Sequence, residues 1–522
     1  MKYIELFAGC GGLSLGLRSA GFELIMANEL SPMASETYAY NFFNESLNSN
    51  QLPTHTLWLS SNFSVNEMDK RLREDPRTYP SIHDKNRYSE LSIDSFVKNS
   101  LVVGNIKELN KFLELYPDVI QDIKNYDIDL IAGGPPCQSF SMAGLRDKDN
   151  DRNTLPIEFA CFVDKIQPKL VLLENVSGIL RPFTDKNNPK LKYHAWYEVS
   201  KAFAKSGYLP LCLHVNAKYT GVAQNRSRFI LIGVRKDHYQ SIESKLNDVE
   251  LELLQSAKDF ANYDVKDLDS LQFGHLKYWD IEKHLSYFEG SFLKPLVAFK
   301  DNFYSVKDAV DDLKFTKPIT NKNQYTNYLN KILGIRNTVK GIANHEKRNN
   351  SLLIQQRFRL YQILNSLSKD TQKEVDDILK QKSMALTDKA INELLDYRFL
   401  SDEGELKKFV DSQELINSIT KLTTKKRTQR ALIASQPAFA ALSIPDDACH
   451  YDQDELRALT VREMARIQSF PDSFIFKSKV TTGGQMRQFE VPQYTQVGNA
   501  VPPLLGNALG VVIREILARN VD

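Results

Sequence analysis

The chain has 522 residues, of which 42% are hydrophobic and 25% charged, enough for a sizeable core and about two to four domains. Lys and Arg (67) nearly balance Asp and Glu (65), so any nucleic-acid-binding surface must be a local face. Five cysteines without a C-x-x-C pair argue against a disulfide framework or a metal site and favour a reducing cytoplasm. No apolar run reaches about 18 residues, so no membrane span is expected.

The first 43 residues predict a strand, a glycine-rich turn and a helix, followed by a second strand and helix rather than a signal peptide. Gly9, Gly11 and Gly12 lie in the turn, where they would let the backbone approach a nucleotide-like ligand. Ser14 replaces the third glycine of the dinucleotide fingerprint. Glu29 ends the second strand, where a carboxylate either binds ribose hydroxyls or is merely an exposed strand-end acid.

The next predicted landmark is a stiff turn around residue 137, reached after a polar surface insertion at residues 44–100. An apolar strand at residues 128–132 runs into Gly133, Gly134, Pro135 and Pro136, and Cys137 follows at once. Backbone N–H groups aimed at the sulfur would favour the nucleophilic thiolate. For an isolated cysteine, the favoured interpretation would be a small buried residue beside a Pro-Pro turn.

Strands then alternate with helices up to residue 235. We predict a helix at 155–166, a strand at 169–173 that ends at Glu174, a helix at 191–206, and strands at 208–215 and 228–234. This spacing is typical of an α/β fold with a doubly wound, mostly parallel sheet. Ligands of such sheets bind at the carboxyl ends of the strands, so the glycine turn, Glu29, Cys137 and Glu174 should converge there.

After residue 235 the alternation is lost. We interpret residues 1–235 as a catalytic domain, residues 236–430 as a second lobe with a helical segment at 346–422, and residues 431–522 as a return to the first domain. The basic cluster at 425–427 and Arg430 is more often a solvated face than a binding site. Thr460 and Glu463 form a capping box that opens a helix, and an apolar helix closes the chain.

Six short motifs, in order, give the chain a family resemblance. They are Phe7-Ala8-Gly9-x-Gly11-Gly12, Pro135-Pro136-Cys137-Gln138, Glu174-Asn175-Val176, Gln224-x-Arg226-x-Arg228, Arg462-Glu463 with Gln468-x-Phe470-Pro471, and Gln496-x-Gly498-Asn499. The chain resembles the DNA (cytosine-5) methyltransferases, in particular bacterial enzymes of restriction–modification systems. The match covers residues 1–43, 101–235 and about 432–522, and residues 236–430 lie where the family keeps its variable DNA-recognition lobe.

The resemblance implies a Rossmann-like fold that binds S-adenosylmethionine and no metal. Phe7 would pack on the adenine, Gly9, Gly11 and Gly12 would surround the methionine part, and Glu29 would hold the ribose. Pro135, Leu155 and Asn499 match further cofactor-contacting positions. Asn105 stands where the family usually has an Asp that meets the adenine amino group; its amide oxygen can still accept that bond, without the charge.

The resemblance also implies a covalent mechanism. Cytosine C5 is a poor nucleophile, and a thiolate added to C6 makes the ring enamine-like. Cys137 would supply the thiolate, while Glu174, if protonated, would donate to N3. Arg228 would neutralise charge at O2, and Arg226 would order Glu174 or a phosphate. The cytosine must leave the duplex stack, and Gln138 and Ser141 are expected to contact the DNA.

The expected partner is double-stranded DNA, and we expect a cytoplasmic monomer that touches no membrane; any cognate restriction endonuclease would act separately. A tRNA cytosine-5 methyltransferase is the alternative within the enzyme class, although a central lobe of this size favours a duplex DNA target. A catalytically silent DNA-binding regulator is a second alternative, which the intact Cys137, Glu174 and Arg228 disfavour. A nicotinamide oxidoreductase is disfavoured by the missing third glycine.

Overall fold

The computed structural model describes residues 1–49, 51–91, 98–136, 155–184, 192–316, 323–334, 341–426, 428–440, 445 and 448–519. Cys137, Gln138 and Ser141 lie outside the described residues. Within the described residues, no single helix is long and apolar enough to span a membrane; one bent pair, 484–499 with 503–518, meets that test by length and composition together.

The described residues form seventeen strands, nine of them in one sheet. In chain order they are β1 (Lys2–Leu6), β2 (Glu23–Glu29), β3 (Thr56–Trp58), β4 (Ser100–Val103), β5 (Leu130–Gly133), β6 (Leu170–Val176), β7 (Phe183–Thr184), β8 (Lys192–Tyr193), β9 (Tyr208–Asn216), β10 (Gln224–Asn225), β11 (Ser227–Arg235), β12 (Tyr278–Asp280), β13 (Phe399–Leu400), β14 (Leu406–Lys407), β15 (Arg430–Ala431), β16 (Ala438–Phe439) and β17 (Ala448–Cys449).

The described residues also form twenty α-helices. These are α1 (Gly12–Ser19), α2 (Pro32–Phe43), α3 (Met68–Arg71), α4 (Ile106–Leu115), α5 (Pro117–Lys124), α6 (Leu155–Ile166), α7 (Ala195–Lys205), α8 (Lys236–Ile242), α9 (Asp248–Ala261), α10 (Val265–Ser270), α11 (Leu285–Glu289), α12 (Val306–Val310), α13 (Gln324–Leu333), α14 (Leu352–Leu364), α15 (Lys369–Leu379), α16 (Asp388–Leu395), α17 (Ser412–Lys421), α18 (Val461–Ile467), α19 (Gln493–Asn499) and α20 (Pro503–Ala518).

The large sheet has the strand order β12-β9-β11-β6-β5-β1-β2-β4-β3. Six of its eight strand pairings are parallel, and only β11 runs antiparallel to its neighbours β6 and β9. The predicted mostly parallel, doubly wound α/β fold is thereby confirmed. From β1 the chain moves outward to β2 on one side, and it later returns to β5 on the other. A ligand is therefore expected at the carboxyl ends of β1 and β5, where the strand order reverses.

Local sequence explains most of the helix starts. Ser31 caps α2 by accepting a hydrogen bond from the Ala34 N–H, with Pro32 as the first helical residue, as expected from a serine followed by proline. Thr460 and Glu463 close the predicted capping box at α18, since each side chain bonds the other residue's backbone N–H. These caps depend on residues three positions apart, so the sequence alone was sufficient to predict them.

Two segments are packed differently from the expectation. In the predicted polar insertion, β3 pairs in parallel with β4 and extends the sheet by an edge strand, and Trp58 is fully buried. Beyond residue 235, β12 pairs with β9, and apolar side chains of residues 239–333 share the core of the sheet.

A second core is built by residues 358–422 together with Ala431 and Cys449. It contains buried side chains from α14, α15, α16 and α17, in the segment predicted to be helical and amphipathic. Within the expected lobe, the residues that share this second core begin near residue 351. The residues between 239 and 333 pack on the sheet instead. The sequence pattern missed this because the helices between 236 and 333 lack the strand–helix alternation and yet pack on the sheet.

Candidate active site

The glycine turn after β1 has an unusual backbone. Phe7 adopts a φ of 56°, Gly9 of 57° and Gly11 of 97°, and a left-handed conformation is uncommon for a bulky residue such as phenylalanine. Hydrogen bonds from the Ala8 N–H to the Asn28 carbonyl (2.9 Å) and from the Gly11 N–H to the Ala8 carbonyl (3.0 Å) hold the turn. A Cβ built on Gly9 would meet no atom within 4 Å, so this side of the turn is open to a ligand.

The other turn glycines are required by close packing. A Cβ on Gly11 would lie 2.3 Å from the Phe42 ring, and one on Gly12 would lie 2.3 Å from the Val501 carbonyl oxygen. Any side chain at Gly12 would therefore push away the segment that follows α19. The glycine turn and Asn499, the exposed last residue of α19, are brought to the same region by this contact.

The carboxylate of Glu29 accepts hydrogen bonds from two backbone N–H groups. Its Oε2 accepts a hydrogen bond from the Gly9 N–H and its Oε1 accepts one from the Ser31 N–H, both at 2.8 Å. Burial raises the pKa of Glu29, and these backbone bonds oppose that rise. Ribose binding by Glu29 stays a prediction.

Asn105 follows the neighbouring strand β4. It is the N-cap of α4, and its Oδ1 accepts a hydrogen bond from the Lys107 N–H at 3.0 Å. The Gly104 N–H donates to the Glu29 carbonyl (2.9 Å), which keeps the ends of β2 and β4 together. The amide oxygen has a second lone pair, so capping and adenine binding by Asn105 are compatible.

The proline turn after β5 leads toward Cys137 and lies directly against Glu174. A Cβ built on Gly134 would be 3.0 Å from Glu174 Oε2. Asn175 fixes the turn, since its Nδ2 donates to the carbonyl of the buried Pro135 at 3.2 Å. Asn175 was in a recognised motif but was not singled out as a site residue; its contact is made across forty positions and leaves no local signal.

Glu174 and Arg228 form a buried ion pair. Arg228 Nε lies 2.6 Å from Glu174 Oε1, and the two side chains are only 9% and 11% exposed. The antiparallel pairing of β6 and β11, which places Arg228 opposite Val176, brings the two residues together. Burial lowers the pKa of Arg228 and the carboxylate of Glu174 opposes this. Glu174 and Arg228, which were both expected to act on the cytosine, are therefore in direct contact; their catalytic roles stay a prediction.

Arg226 has different partners from those expected. It is buried and donates to the carbonyls of Gly498 (2.7 Å) and Ala500 (3.4 Å) and to the Gln224 Oε1 (3.3 Å). Within the described residues these bonds go to the protein backbone and Gln224 rather than to Glu174, although Glu174 is close enough to influence the pKa of Arg226, which burial lowers. The expected contact of Arg226 with a phosphate stays a prediction. Arg226 thus ties the strand of Arg228 to the segment around Asn499.

One other predicted site residue, Leu155, and two residues of the recognised motifs, Gln496 and Arg462, lie in the described part of the chain. Leu155 is half-buried at the start of α6. Gln496, from the last motif, accepts from Thr37 Oγ1 (2.6 Å) and donates to the Met33 and Val491 carbonyls, so it holds α2 near Glu29. Arg462 donates to the Pro471 and Phe474 carbonyls, so its hydrogen bonds stabilise the protein interior. No cluster of potential metal ligands occurs within the described residues.

The described geometry defines an α/β protein with an open glycine turn, a strand-end carboxylate and a buried Glu–Arg pair along one edge of the sheet. Residues 1–57 and 85–515 match the family model for C-5 cytosine-specific DNA methylase. The chain therefore belongs to the C-5 cytosine-specific DNA methylase family, and it is a DNA cytosine-5 methyltransferase. The family implies the use of S-adenosylmethionine and a DNA substrate.

The relatives are restriction–modification enzymes. The chain is 26% identical over 509 residues to the Type II methyltransferase M.DdeI of Desulfomicrobium norvegicum, covering 98% of this chain and 87% of that protein. It is 25% identical over 516 residues to M1.HphI of Haemophilus parahaemolyticus, covering 98% and 86%. A solved structure assigned as an E. coli prophage DNA modification methyltransferase aligns over 99% of both chains at 19% identity and a TM-score of 0.45. The resemblance inferred from the six motifs is confirmed by the family match.

Proposed function

We propose that this enzyme methylates one cytosine of a specific duplex DNA site through a covalent bond between Cys137 and C6 of the base. The observation that carries the proposal is the buried Glu174–Arg228 pair (2.6 Å) beside the proline turn that leads into Cys137. A carboxyl group and a guanidinium in a buried cleft match the edge of cytosine, which offers N3, an exocyclic amine and O2.

Cys137 is the proposed nucleophile of the reaction. The Cys137 thiolate forms a bond to C6, and the C5–C6 π electrons make C5 nucleophilic. S-adenosylmethionine, when bound, would supply the methyl group: its sulfonium S–CH3 bond would break as the bond to C5 forms, leaving S-adenosylhomocysteine. Loss of the C5 proton then restores the C5–C6 double bond and expels the thiolate, which regenerates the enzyme.

Glu174 and Arg228 would stabilise the charge that this addition creates. Negative charge moves toward N3 and O2 as the thiolate adds, so a donor at N3 and a cation at O2 lower the barrier. As a carboxylate, Glu174 can accept a hydrogen bond from the exocyclic amine, and as a carboxylic acid it can donate one to N3.

The cofactor site is proposed along β1, β2 and β4. Gly9, Gly11 and Gly12 would leave room for the methionine part, Glu29 would bind the ribose and Asn105 the adenine, with Phe7, Pro135, Leu155 and Asn499 as further contacts. The open side of Gly9 and the hydrogen bond that joins Gly9 to Glu29 support this placement. The residues present therefore fit S-adenosylmethionine.

Duplex DNA would be read outside this site. Flipping the cytosine costs a few kcal/mol, which contacts from Gln138 and Ser141 would offset. Target recognition is proposed for the lobe of residues 236–430, and within it for the second core around α14 to α17, because that part has a hydrophobic core of its own. The enzyme would act as a cytoplasmic monomer and protect host DNA from a separate endonuclease.

A trapping experiment tests the covalent step. Duplex DNA with 5-fluorocytosine at the target position cannot release the C5 substituent, so the wild-type enzyme should form a denaturation-resistant adduct only when S-adenosylmethionine is present. Cys137→Ala should form none. Cys161→Ala is the matched control, since Cys161 is an exposed free thiol on α6, and it should trap like wild type. Normal methylation by Cys137→Ala would refute the mechanism.

A further inference from the structure

The chain passes from the second core to the core of the sheet within ten residues, and we call residues 430–439 the seam segment. Ala431 belongs to the second core, whereas Leu432 and Ala438 pack in the core of the sheet. Strand β15 of the segment pairs with β17, and β16 pairs in parallel with β10. The segment therefore joins the part of the protein that carries the catalytic pair to the part with its own core.

Hydrogen bonds hold the seam segment on both sides. On the side of the second core, Asn365 Nδ2 donates to the carbonyls of Ala431 and Leu432, both at 3.3 Å. On the side of the sheet, the first two N–H groups of α12 donate to the carbonyls of Gln436 (2.9 Å) and Ala434 (3.0 Å). The backbone of the segment is thus fixed relative to both cores.

Arg430 is an exposed cation at the start of this segment. Its neighbours in the chain, Gln429 and Ala431, are buried, whereas Arg430 itself is exposed. The guanidinium carbon lies over the Phe439 ring, 3.7 Å from the ring centre. Among the described residues, the guanidinium has neither an acidic partner nor a hydrogen bond, and burial is the cause that lowers its pKa.

A cation held in this way is prepared to bind an anion. The contact with the ring restricts the side chain in advance, and the N–H groups on the edge of a guanidinium match two oxygens of a phosphate. An arginine that serves only to join two cores is expected to have protein partners, as Arg466 has in Asp312 and Asp472. The exposed guanidinium of Arg430 is instead available to an anion from outside the protein.

The contact between Arg430 and Phe439 lies close to the proposed catalytic residues. Phe439 is the partner of Asn225 in the pairing of β16 with β10. Arg228 follows Asn225 by three positions, so the Cα atoms of these two residues are at most about 11 Å apart. A DNA strand that delivers a cytosine to the Glu174–Arg228 pair would therefore run along the seam segment.

We infer that the seam segment is part of the DNA-binding surface, where Arg430, supported by Phe439, binds a phosphate of the DNA backbone. This inference rests on the proposed duplex DNA substrate. A phosphate contact carries no sequence information and fixes the position of the protein on the duplex. Arg430 would hold the DNA against both cores, the one that carries the catalytic pair and the one proposed to choose the target.

The salt dependence of DNA binding tests this inference with the full-length enzyme. The probe is a fluorescein-labelled duplex of about 30 base pairs, and fluorescence anisotropy gives its Kd between about 50 and 200 mM KCl. One phosphate contact contributes about 0.9 to the slope of log Kd against log salt. Arg430→Gln should lower the slope by that amount and raise the Kd by about 3- to 10-fold at about 100 mM salt.

Two further variants of Arg430 separate charge from packing. Arg430→Met keeps an unbranched apolar stem over the Phe439 ring and removes the charge, so it should behave like Arg430→Gln. Arg430→Lys keeps the charge, so its slope should equal that of the wild type. Melting temperatures of all three variants identify any loss of folding, and an unchanged slope in a folded Arg430→Met would by itself contradict the phosphate contact.

Arg514→Gln is the matched control. Arg514 is exposed on α20 and donates to the carbonyl of Ala20 at 3.2 Å. Because Ala20 follows α1 and precedes β2, this arginine lies at the amino ends of the strands, on the edge of the sheet opposite to the proposed site. Its replacement should leave both the slope and the Kd unchanged.

The outcomes distinguish this inference from the proposed function. If the wild type binds the duplex and Arg430→Gln keeps the wild-type slope, the phosphate contact is refuted and the proposed function stands. If the wild type neither binds the duplex nor forms an adduct with 5-fluorocytosine DNA, both fail. A slope that falls with tRNA as the probe and not with the duplex would assign Arg430 to an RNA partner and would also refute the inference.

Discussion

The guanidinium of Arg226 donates a hydrogen bond of 2.7 Å to the carbonyl of Gly498, 272 residues further along the chain. This bond joins the strand that carries Arg228 to the segment that ends in Asn499. The buried Arg226 side chain, which is 3% exposed, therefore joins the proposed catalytic side of the site to its proposed cofactor side.

Removing that side chain should weaken both stability and cofactor binding. Arg226→Ala leaves the Gly498 and Ala500 carbonyls without their donor, at a cost of about 1–3 kcal/mol in unfolding free energy. We also expect a raised KM for S-adenosylmethionine. Arg235→Ala, at the other end of β11, removes a more exposed ion pair with Asp237 and should cost less than about 1 kcal/mol. Equal effects of both variants in urea unfolding would contradict the assigned role.

The Glu174–Arg228 pair should matter for chemistry more than for cofactor affinity. Glu174→Gln keeps the shape of the side chain and removes its proton transfer, so kcat should fall by about 10²- to 10⁴-fold. The Kd for S-adenosylmethionine should change little, because the pair lies on the base side. A double-mutant cycle with Arg228→Lys should give strongly non-additive losses in kcat. Additive losses would show that the two residues act independently.

Asn175 should act by positioning the proline turn. Asn175→Ala removes the hydrogen bond to Pro135 and should slow adduct formation with 5-fluorocytosine DNA by about tenfold, the equivalent of about 1.4 kcal/mol. Asn110→Ala is a suitable control, since this buried amide binds Glu158 between α4 and α6. Rapid-quench measurement of adduct formation distinguishes the two; an unchanged rate in Asn175→Ala would remove the turn from the catalytic apparatus.

Glu5 gives a prediction for the dependence of stability on pH. It lies in β1 beneath the glycine turn and is bonded by Ser14, and burial raises its pKa from 4.5 to about 8. The native state thus holds a proton that the unfolded state releases. The contribution of Glu5 is complete below pH 4.5 and is lost as the pH rises through about 8.

The uncharged variant Glu5→Gln should remove this loss. At pH 9 it should be more stable than wild type by about 2–4 kcal/mol, whereas near pH 4.5 the two should be similar. Glu23→Gln is the control, because the Glu23 side chain is 53% exposed and pairs with Lys98 at the surface. Thermal melts between pH 4.5 and 9 measure the difference; parallel curves for Glu5→Gln and wild type would contradict the prediction.

We predict that the part of the chain around the second core determines which DNA sequence is methylated. Exchanging residues 351–431 for the matching segment of a family member with another target should change the methylated sequence and leave the 5-fluorocytosine chemistry intact. Bisulfite sequencing of DNA from expressing cells measures this. An unchanged methylation pattern would place recognition elsewhere, in the first instance in residues 236–333, which share the core of the sheet.

The sequence by itself was sufficient to predict the alternating strands and helices, the Ser31 and Thr460 caps, and the order of the six motifs. Each depends on residues within a few positions of one another, through side-chain periodicity, capping bonds or the backbone freedom of glycine. It also predicted that the glycine turn, Glu29 and Glu174 lie at strand ends, where β1, β2 and β6 do end, because parallel strands share their carboxyl edge.

Only the tertiary structure decided which distant groups meet. The bond of Arg226 to Gly498, the anchoring of Pro135 by Asn175, the position of β3 beside β4 and the start of the second core near residue 351 all depend on contacts between segments tens to hundreds of residues apart. Hydrogen bonds and apolar packing across such separations impose no periodicity on the sequence. These contacts form only when the distant segments pack together in the folded protein.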